Sequence, residues 1–201
     1  MNNTTLPEGW NFVKLSEIAD LKNGGTPSKR ISKYWENGSI PFVTAADLTS
    51  LYVEKARSYV TPSGLYSGKT VVCEQGDLLI GTRTRVGNCA IAKGLMGASQ
   101  DITRARFKKE VVIEYFGWFF RNIADFLSFY SQGTSIQGIT RDVLNELEIP
   151  VPPLDEQQRI VTRIEALTHR ANEIRQILKK ADAELSGFIP SLLSRAFRGE
   201  L

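Results

Sequence analysis

The chain has 201 residues, 42% hydrophobic and 23% charged, with a formal net charge of +3, the proportions of an ordinary soluble globular protein. They allow one domain, or a domain with an appendage, and exclude a membrane helix, since no stretch reaches the ~18–20 apolar residues a span needs. The N-terminal MNNTTLPEGW has neither the basic flank nor the apolar core of a secretory signal, and Cys73 and Cys89 share no CxxC spacing, so they read as a buried reduced pair in a cytoplasmic protein.

In chain order, NFVKL alternates like a short strand and SEIADL follows as a helix with Ser16 as its cap. KNGGTPS stops that helix and turns at Pro27. IPFVT, SYVT, TVVC, GDLLIGT and NCAIA are short β-rich runs parted by glycine, proline, serine and asparagine. In VVIEYFGWFFRNIADFLSFY, the spacing of Tyr115, Phe119, Ile123 and Phe126 predicts a helix lying on the sheet, with its aromatics in the core. SQGTSIQGIT is a polar loop, Thr140 caps a short RDVLNEL helix, and Pro150, Pro152 and Pro153 make a stiff, extended exit.

After the prolines the period changes. Asp155 with Gln158 has the spacing of a capping box. Ile160, Ile164, Leu167, Ala171, Ile174, Leu178, Ala181, Leu185, Phe188 and Leu192 then recur at alternating steps of four and three. That is a heptad seam, narrower than the stripe of a helix lying on a globular core. Ser186, Gly187 and Pro190 should kink or break the helix, Pro190 opening a short final one. The expected architecture is α+β: a mixed α/β head of short strands over 1–153, then a long coiled-coil helix over 154–201, broken near 186–190. A seam of this length needs another helix to cover it, most simply its own copy. The predicted interface is Ile160, Ile164, Leu167, Ala171, Ile174, Leu178, Ala181 and Leu185, with a helix folded back on its own head as the alternative.

Catalytic and cofactor chemistry is not legible. His169 sits among charged residues, with no ligand spacing around it. GGT at 24–26 opens no dinucleotide fingerprint, and SGKT at 67–70 lacks the earlier phosphate-loop glycine, position 63 being Ser63. No GxSxG elbow and no carboxylate pair of recognisable spacing occurs. Charge distribution says more. Residues 22–33 hold Lys22, Lys29, Arg30 and Lys33 with no acid, and 83–109 hold seven basic residues against Asp101 alone. A polyanion would feel both segments, although charge alone also fits scattered solvated residues.

Within them Lys22, Asn23, Lys29, Arg30, Lys33, Arg83 and Arg85 can reach base edges or phosphates, and Gln100 and Gln137 suit adenine. Thr26, Thr44 and Thr84 can bond phosphate or pack on a thymine methyl, and Tyr34 and Trp35 can stack or wedge, with burial an equal reading for Trp35.

These segments resemble a known family. LPEGWNFVKLSEIADLKNGGTPS, YWENGSIPFVTAADL, GDLLIGTRTRVGNCAI, GTSIQGIT, IPVPPLDEQQRIV and LLSRAFRGEL are similar, in order, to the specificity subunits of type I restriction-modification systems. The resemblance implies a non-catalytic subunit that binds double-stranded DNA with a target-recognition domain followed by a conserved helix. The usual subunit has two of each, its helices antiparallel. It docks modification subunits, which carry S-adenosylmethionine and methylate adenine, while a restriction translocase subunit cuts; no cofactor is expected on this chain.

This chain has one domain and one helix and looks like a complete half. That implies pairing with a second copy, or with a different half-subunit, over a split palindromic site. SQDITRARF departs from the family where an asparagine is expected before the glutamine, which weakens any role for Gln100. Two other readings stand beside this one. One is a coiled-coil protein-interaction module or regulator within a restriction system. The other, a fragment of a single-chain methyltransferase, is disfavoured by the missing cofactor motif.

Overall fold

A computed structural model describes residues 6–132 and 138–200. The chain divides into two compact units, Met1–Gln158 and Arg159–Leu201. The first is the head. Its β1 (Asn11–Lys14) pairs antiparallel with β11 (Glu148–Val151), Lys14 opposite Glu148, so the start of the head lies beside its exit.

Between them the chain builds two sheets. One has the order β2 (Ala19–Asn23), β10 (Ile102–Phe107), β7 (Leu78–Gly81), β8 (Cys89–Ala92) and β4 (Tyr52–Val53). The other runs β5 (Ser58–Val60), β3 (Ile40–Val43), β9 (Met96–Ala98) and β6 (Val71–Cys73). The β3–β9 and β4–β8 pairs are parallel and the rest antiparallel. Val43, Cys73, Met96 and Ala98 of one sheet share a core with Val53, Leu79, Ala90 and Ile102 of the other. Each large aliphatic side chain buried there is worth roughly 1.5–3 kcal/mol before entropy is counted.

All six runs expected as strands, NFVKL among them, contain a strand. The helix expected over SEIADL is only one turn, α1 (Leu15–Ile18), after which Ala19–Asn23 is strand β2. Ala19 and Leu21 are buried while Asp20 and Lys22 are not, so the alternation of period two overrides helix propensity. Ser16 caps nothing; its hydroxyl donates to the Asn145 carbonyl at 2.9 Å. ITRARF is a strand that its arginines conceal.

The aromatic segment is two helices, α3 (Ile113–Asn122) and α4 (Ala124–Gln132), parted at Ile123. Their buried aromatics and aliphatics are Tyr115, Phe116, Phe120 and Leu127, while Phe126 is exposed, so the predicted stripe is displaced by about one position. At Gly117 an added Cβ would lie 2.7 Å from Leu51 Cδ1, and Cys89 Sγ donates to the Gly117 carbonyl at 3.3 Å, so the glycine brings α3 onto β8. Cys73 and Cys89 are free and buried, and burial pushes both thiols up to about 12. A short α2 (Pro62–Leu65) and α5 (Arg141–Asn145) complete the head; Thr61 and Thr140 cap them.

The last helix, α6, spans Leu154–Phe197 without interruption. It begins one residue before Asp155, which therefore lies in the first turn rather than at the cap. Gln157 does the fastening. Buried, it accepts the Val112 N–H at 3.0 Å and donates to the Pro152 carbonyl at 3.0 Å. The break expected near 186–190 is absent. Pro190 removes one amide donor, but Ser186, whose carbonyl loses that bond, is exposed and can turn to water. No described helix is long and apolar enough to cross a membrane.

Candidate nucleic-acid interface

The paired glycines after β2 are threaded between two backbones. Gly24 N–H donates to the Ile102 carbonyl at 2.8 Å and Gly25 N–H to the Ala98 carbonyl at 3.0 Å. An added Cβ would lie 2.1 Å from the Ser99 oxygen at Gly24 and 2.1 Å from the Lys69 oxygen at Gly25. Only glycine permits this approach. It brings Thr26 to Gln100, whose side-chain carbonyl accepts the threonine hydroxyl, while the side-chain carbonyl of Asn23 accepts the Thr103 hydroxyl at 3.1 Å.

The β7–β8 connection is tied to the same place. Thr82 N–H donates to the Asp101 carbonyl at 2.8 Å, and Ile139 N–H to the Thr82 carbonyl at 2.7 Å. Gly138 adopts a φ of 118° with the Thr82 oxygen 2.5 Å from where its Cβ would stand. Four distant segments thus meet around a cleft of about 270 Å³ lined by Asn23, Arg83, Gln100, Arg141 and Asp142 among others. Arg141, the first residue of α5, is not among the residues the sequence singles out; its place directly after a glycine-punctuated loop is the available signal.

Arg85 stands apart from Arg83. At a φ of 49° it lines a second cleft with Thr49, Asn88 and Arg121, and Thr84 is exposed between the two. Lys29 and Arg30 are exposed on the turn after Pro27. Lys33 lies 5.6 Å from the centroid of the half-buried Tyr34 ring, and Lys22 is exposed 3.9 Å from Asp20. Trp35 is packed edge-on to Phe42 at 5.1 Å in a small core, the buried reading. The Thr44 hydroxyl is committed, donating to Asp47 at 2.7 Å and accepting from Arg57 at 2.9 Å. Burial works to raise the Asp47 carboxyl, but hydrogen bonds from Thr44 and Arg57 outweigh it and hold it below its ordinary value. Gln137 lies outside the described residues.

The arginines of the head separate into two sets. Arg57 pairs with Asp47 at 2.8 Å, and Arg104 with Asp20 at 2.6 Å. Arg106 clamps Asp77 through two bonds of 2.8 and 2.7 Å, and Arg121 donates to the Cys89 carbonyl at 3.1 Å. These four hold the fold together. Arg30, Arg83, Arg85 and Arg141 are exposed and form no ion pair among the described residues. The basic segment 83–109 is therefore less available to a polyanion than its composition suggests, and its accessible guanidinium groups are Arg83 and Arg85.

From Leu167 onward the seam of α6 is bare. Ile160 and Ile164 are half-buried, whereas Leu167, Ile174, Leu178 and Leu185 are 47%, 57%, 63% and 65% exposed, with Ala171 and Ala181 exposed between them.

The family model of the type I restriction modification DNA specificity domain matches residues 7–184, most of the head and arm together. The chain belongs to this family. As a specificity domain it is a non-catalytic part of such a system. It is 29% identical over 188 residues to the MjaIX specificity subunit of Methanocaldococcus jannaschii, covering 90% of this chain and 43% of that one. It is 27% identical over 172 residues to the EcoR124I/EcoR124II specificity subunit of Escherichia coli, covering 83% and 43%.

Among solved structures, the HsdS subunit of Thermoanaerobacter tengcongensis matches the specificity domain with a TM-score of 0.74 at 27% identity, covering 100% of this chain and 48% of that one. A chain from a study of type I R-M complex assembly and conformational transition matches at 0.81 and 26%, with 100% and 48% covered. The chain thus spans less than half the length of these relatives. The α+β head of short strands followed by one long helix is the arrangement they share.

Proposed function

We propose that this chain gives a type I restriction-modification complex its DNA address and works as one of a pair. Two copies, or this chain and another half-subunit, join through α6, and each head reads one half of a split site in double-stranded DNA. With identical copies the site is a palindrome interrupted by unread base pairs, its halves on the order of one DNA turn apart. The pair docks modification subunits, which carry S-adenosylmethionine and methylate adenine, and a restriction translocase subunit that cuts. This chain binds no cofactor and acts in the cytoplasm.

The observation that carries this reading is the uncovered heptad seam. Leaving Leu167, Ile174, Leu178 and Leu185 in water forgoes roughly 1.5–3 kcal/mol for each side chain that could be buried, so the helix is built to be covered. The arginines that form no ion pair among the described residues, with Asn23 and Gln100 beside Arg83 and Arg141, supply the base-edge and phosphate chemistry.

Methylome sequencing of a host expressing this chain with its modification subunit tests the proposal. The expected result is a symmetric, split adenine-methylated motif for a pair of identical copies and an asymmetric split motif for a pair with another half-subunit; an unsplit motif, or none, overturns it. A head contacting ~6–10 phosphates should also lose ~10³–10⁵ in DNA affinity between 50 and 200 mM salt. A protein-binding head would not.

A further inference from the structure

With the two helices antiparallel, as the resemblance implies for this family, we infer that two copies of α6 pair in one register, with the two-fold axis level with Gln176. This rests on the pairing proposed above and adds its geometry.

The seam itself carries the inference. Counted outward from Gln176, the seam residues form five layers: Ile174 with Leu178, Ala171 with Ala181, Leu167 with Leu185, Ile164 with Phe188, and Ile160 with Leu192. Only the second layer is small on both sides, so the seam is a palindrome of side-chain size. Identical helices running in opposite directions bring each such pair together twice when the axis lies at its centre. In this register all ten seam residues are covered. A slip by one heptad toward either end leaves two uncovered. Both alanine layers lie five residues from the axis, where the helices can approach most closely.

The residues flanking a coiled-coil seam set orientation through their charges. In the parallel arrangement Arg170 of each copy faces Arg175 of the other, and Ile177 faces Asp182. In the antiparallel register Arg170 meets Glu184 of the second copy at two symmetric places. Ile177, 67% exposed and off the seam, meets its own copy across the axis. One like-charge meeting remains, Arg175 with its copy, and there Arg175 already donates to Asn172 at 3.3 Å. The existing partner of Glu184 is Lys180 at 3.9 Å, with both side chains well exposed; such a contact contributes little and leaves the carboxylate open to Arg170.

The register fixes distances. Glu165 of one copy lies level with Gly187 of the other, 22 residues of rise away, or about 33 Å at ~1.5 Å per residue. A slip of one heptad would give about 22 or about 44 Å, and the parallel arrangement roughly the helix spacing of ~10 Å. A spin label on Glu165→Cys in the full chain, read by pulsed dipolar spectroscopy, tests this; Cys73 and Cys89 are buried and will not compete for the label. We expect about 33 Å. A distance near 22, 44 or 10 Å overturns the register while leaving the pair intact. A monomer by sedimentation overturns the pairing itself.

A charge exchange gives a second reading. Arg170→Glu should weaken dimerisation several-fold, and Arg170→Glu with Glu184→Arg should restore it. If the single variant dimerises like the parent, or the double variant shows no recovery, the register is wrong.

Discussion

Arg104, on the central strand β10, is buried with its guanidinium 2.6 Å from the carboxylate of Asp20 on the neighbouring strand β2. The ion pair joins two strands and closes a cation inside the sheet. Arg104→Ala removes that closure, opens a cavity and leaves Asp20 with only the exposed Lys22, 3.9 Å away. We expect a loss of ~2–4 kcal/mol in denaturant unfolding, and no loss of DNA affinity in the fraction that stays folded.

Arg83 and Arg141 are the opposite case. Neither carries an ion pair among the described residues, and both line the cleft beside Asn23 and Gln100. Arg83→Ala and Arg141→Ala should leave the unfolding midpoint unchanged while weakening site-specific methylation by the reconstituted complex. A bidentate base contact is worth ~1–3 kcal/mol of discrimination, a phosphate contact less and without sequence preference. Arg85→Ala, at the second cleft, should also lower methylation without loosening dimerisation. Unchanged methylation in all three variants would remove this face from the DNA interface.

Gln157 bonds both the Val112 N–H and the Pro152 carbonyl from a buried position. Gln157→Ala strands both groups at the root of the arm, at a cost of ~1–3 kcal/mol for each group left unsatisfied. Amide exchange at Val112 should accelerate more than exchange in β7 and β8. Equal acceleration throughout would mean the residue serves global stability rather than this fastening.

Asp47 sets an acid limit. Its carboxyl is held below its ordinary value in the fold, so the stability it contributes is complete above the unfolded value near ~4 and is lost as pH falls through the lower folded value. Unfolding at pH 7 and pH 3 should therefore show the parent more stable than Asp47→Asn at the higher pH and the difference shrinking at the lower. A difference that does not change with pH would place the effect of Asp47 in its shape rather than its charge.

Ile164→Asp with Leu178→Asp places charges in the seam of α6 and should yield monomers by sedimentation. A dimer that survives would mean the seam is not the joint.

The parts of the fold legible in the sequence were those where pattern and packing agree. GDLLIGT and NCAIA are strands because they are apolar runs bounded by turn residues, and both sit in the core. ITRARF was not legible, because a strand whose arginines are neutralised by Asp20 and Asp77 reads as a basic surface until those partners are known. The aromatic helix was seen, but its interruption at Ile123 and the close approach at Gly117 depend on the strand beneath. At the interface, Asn23, Arg83 and Gln100 were picked out by side-chain chemistry and do line one cleft. The same chemistry points to Thr44, but its hydroxyl serves Asp47 and Arg57. Arg141 was missed because the Ile139–Thr82 hydrogen bond that folds its segment against the β7–β8 connection spans more than fifty residues.

The division of the arginines bears on how such a chain can change its target. The mortar of the head is one group of residues and the candidate lettering another, held on loops and, for Arg141, at the start of α5. Under the proposed function, substituting the lettering would rewrite the address and leave the masonry standing, which would open new specificities to this scaffold at little risk of collapse.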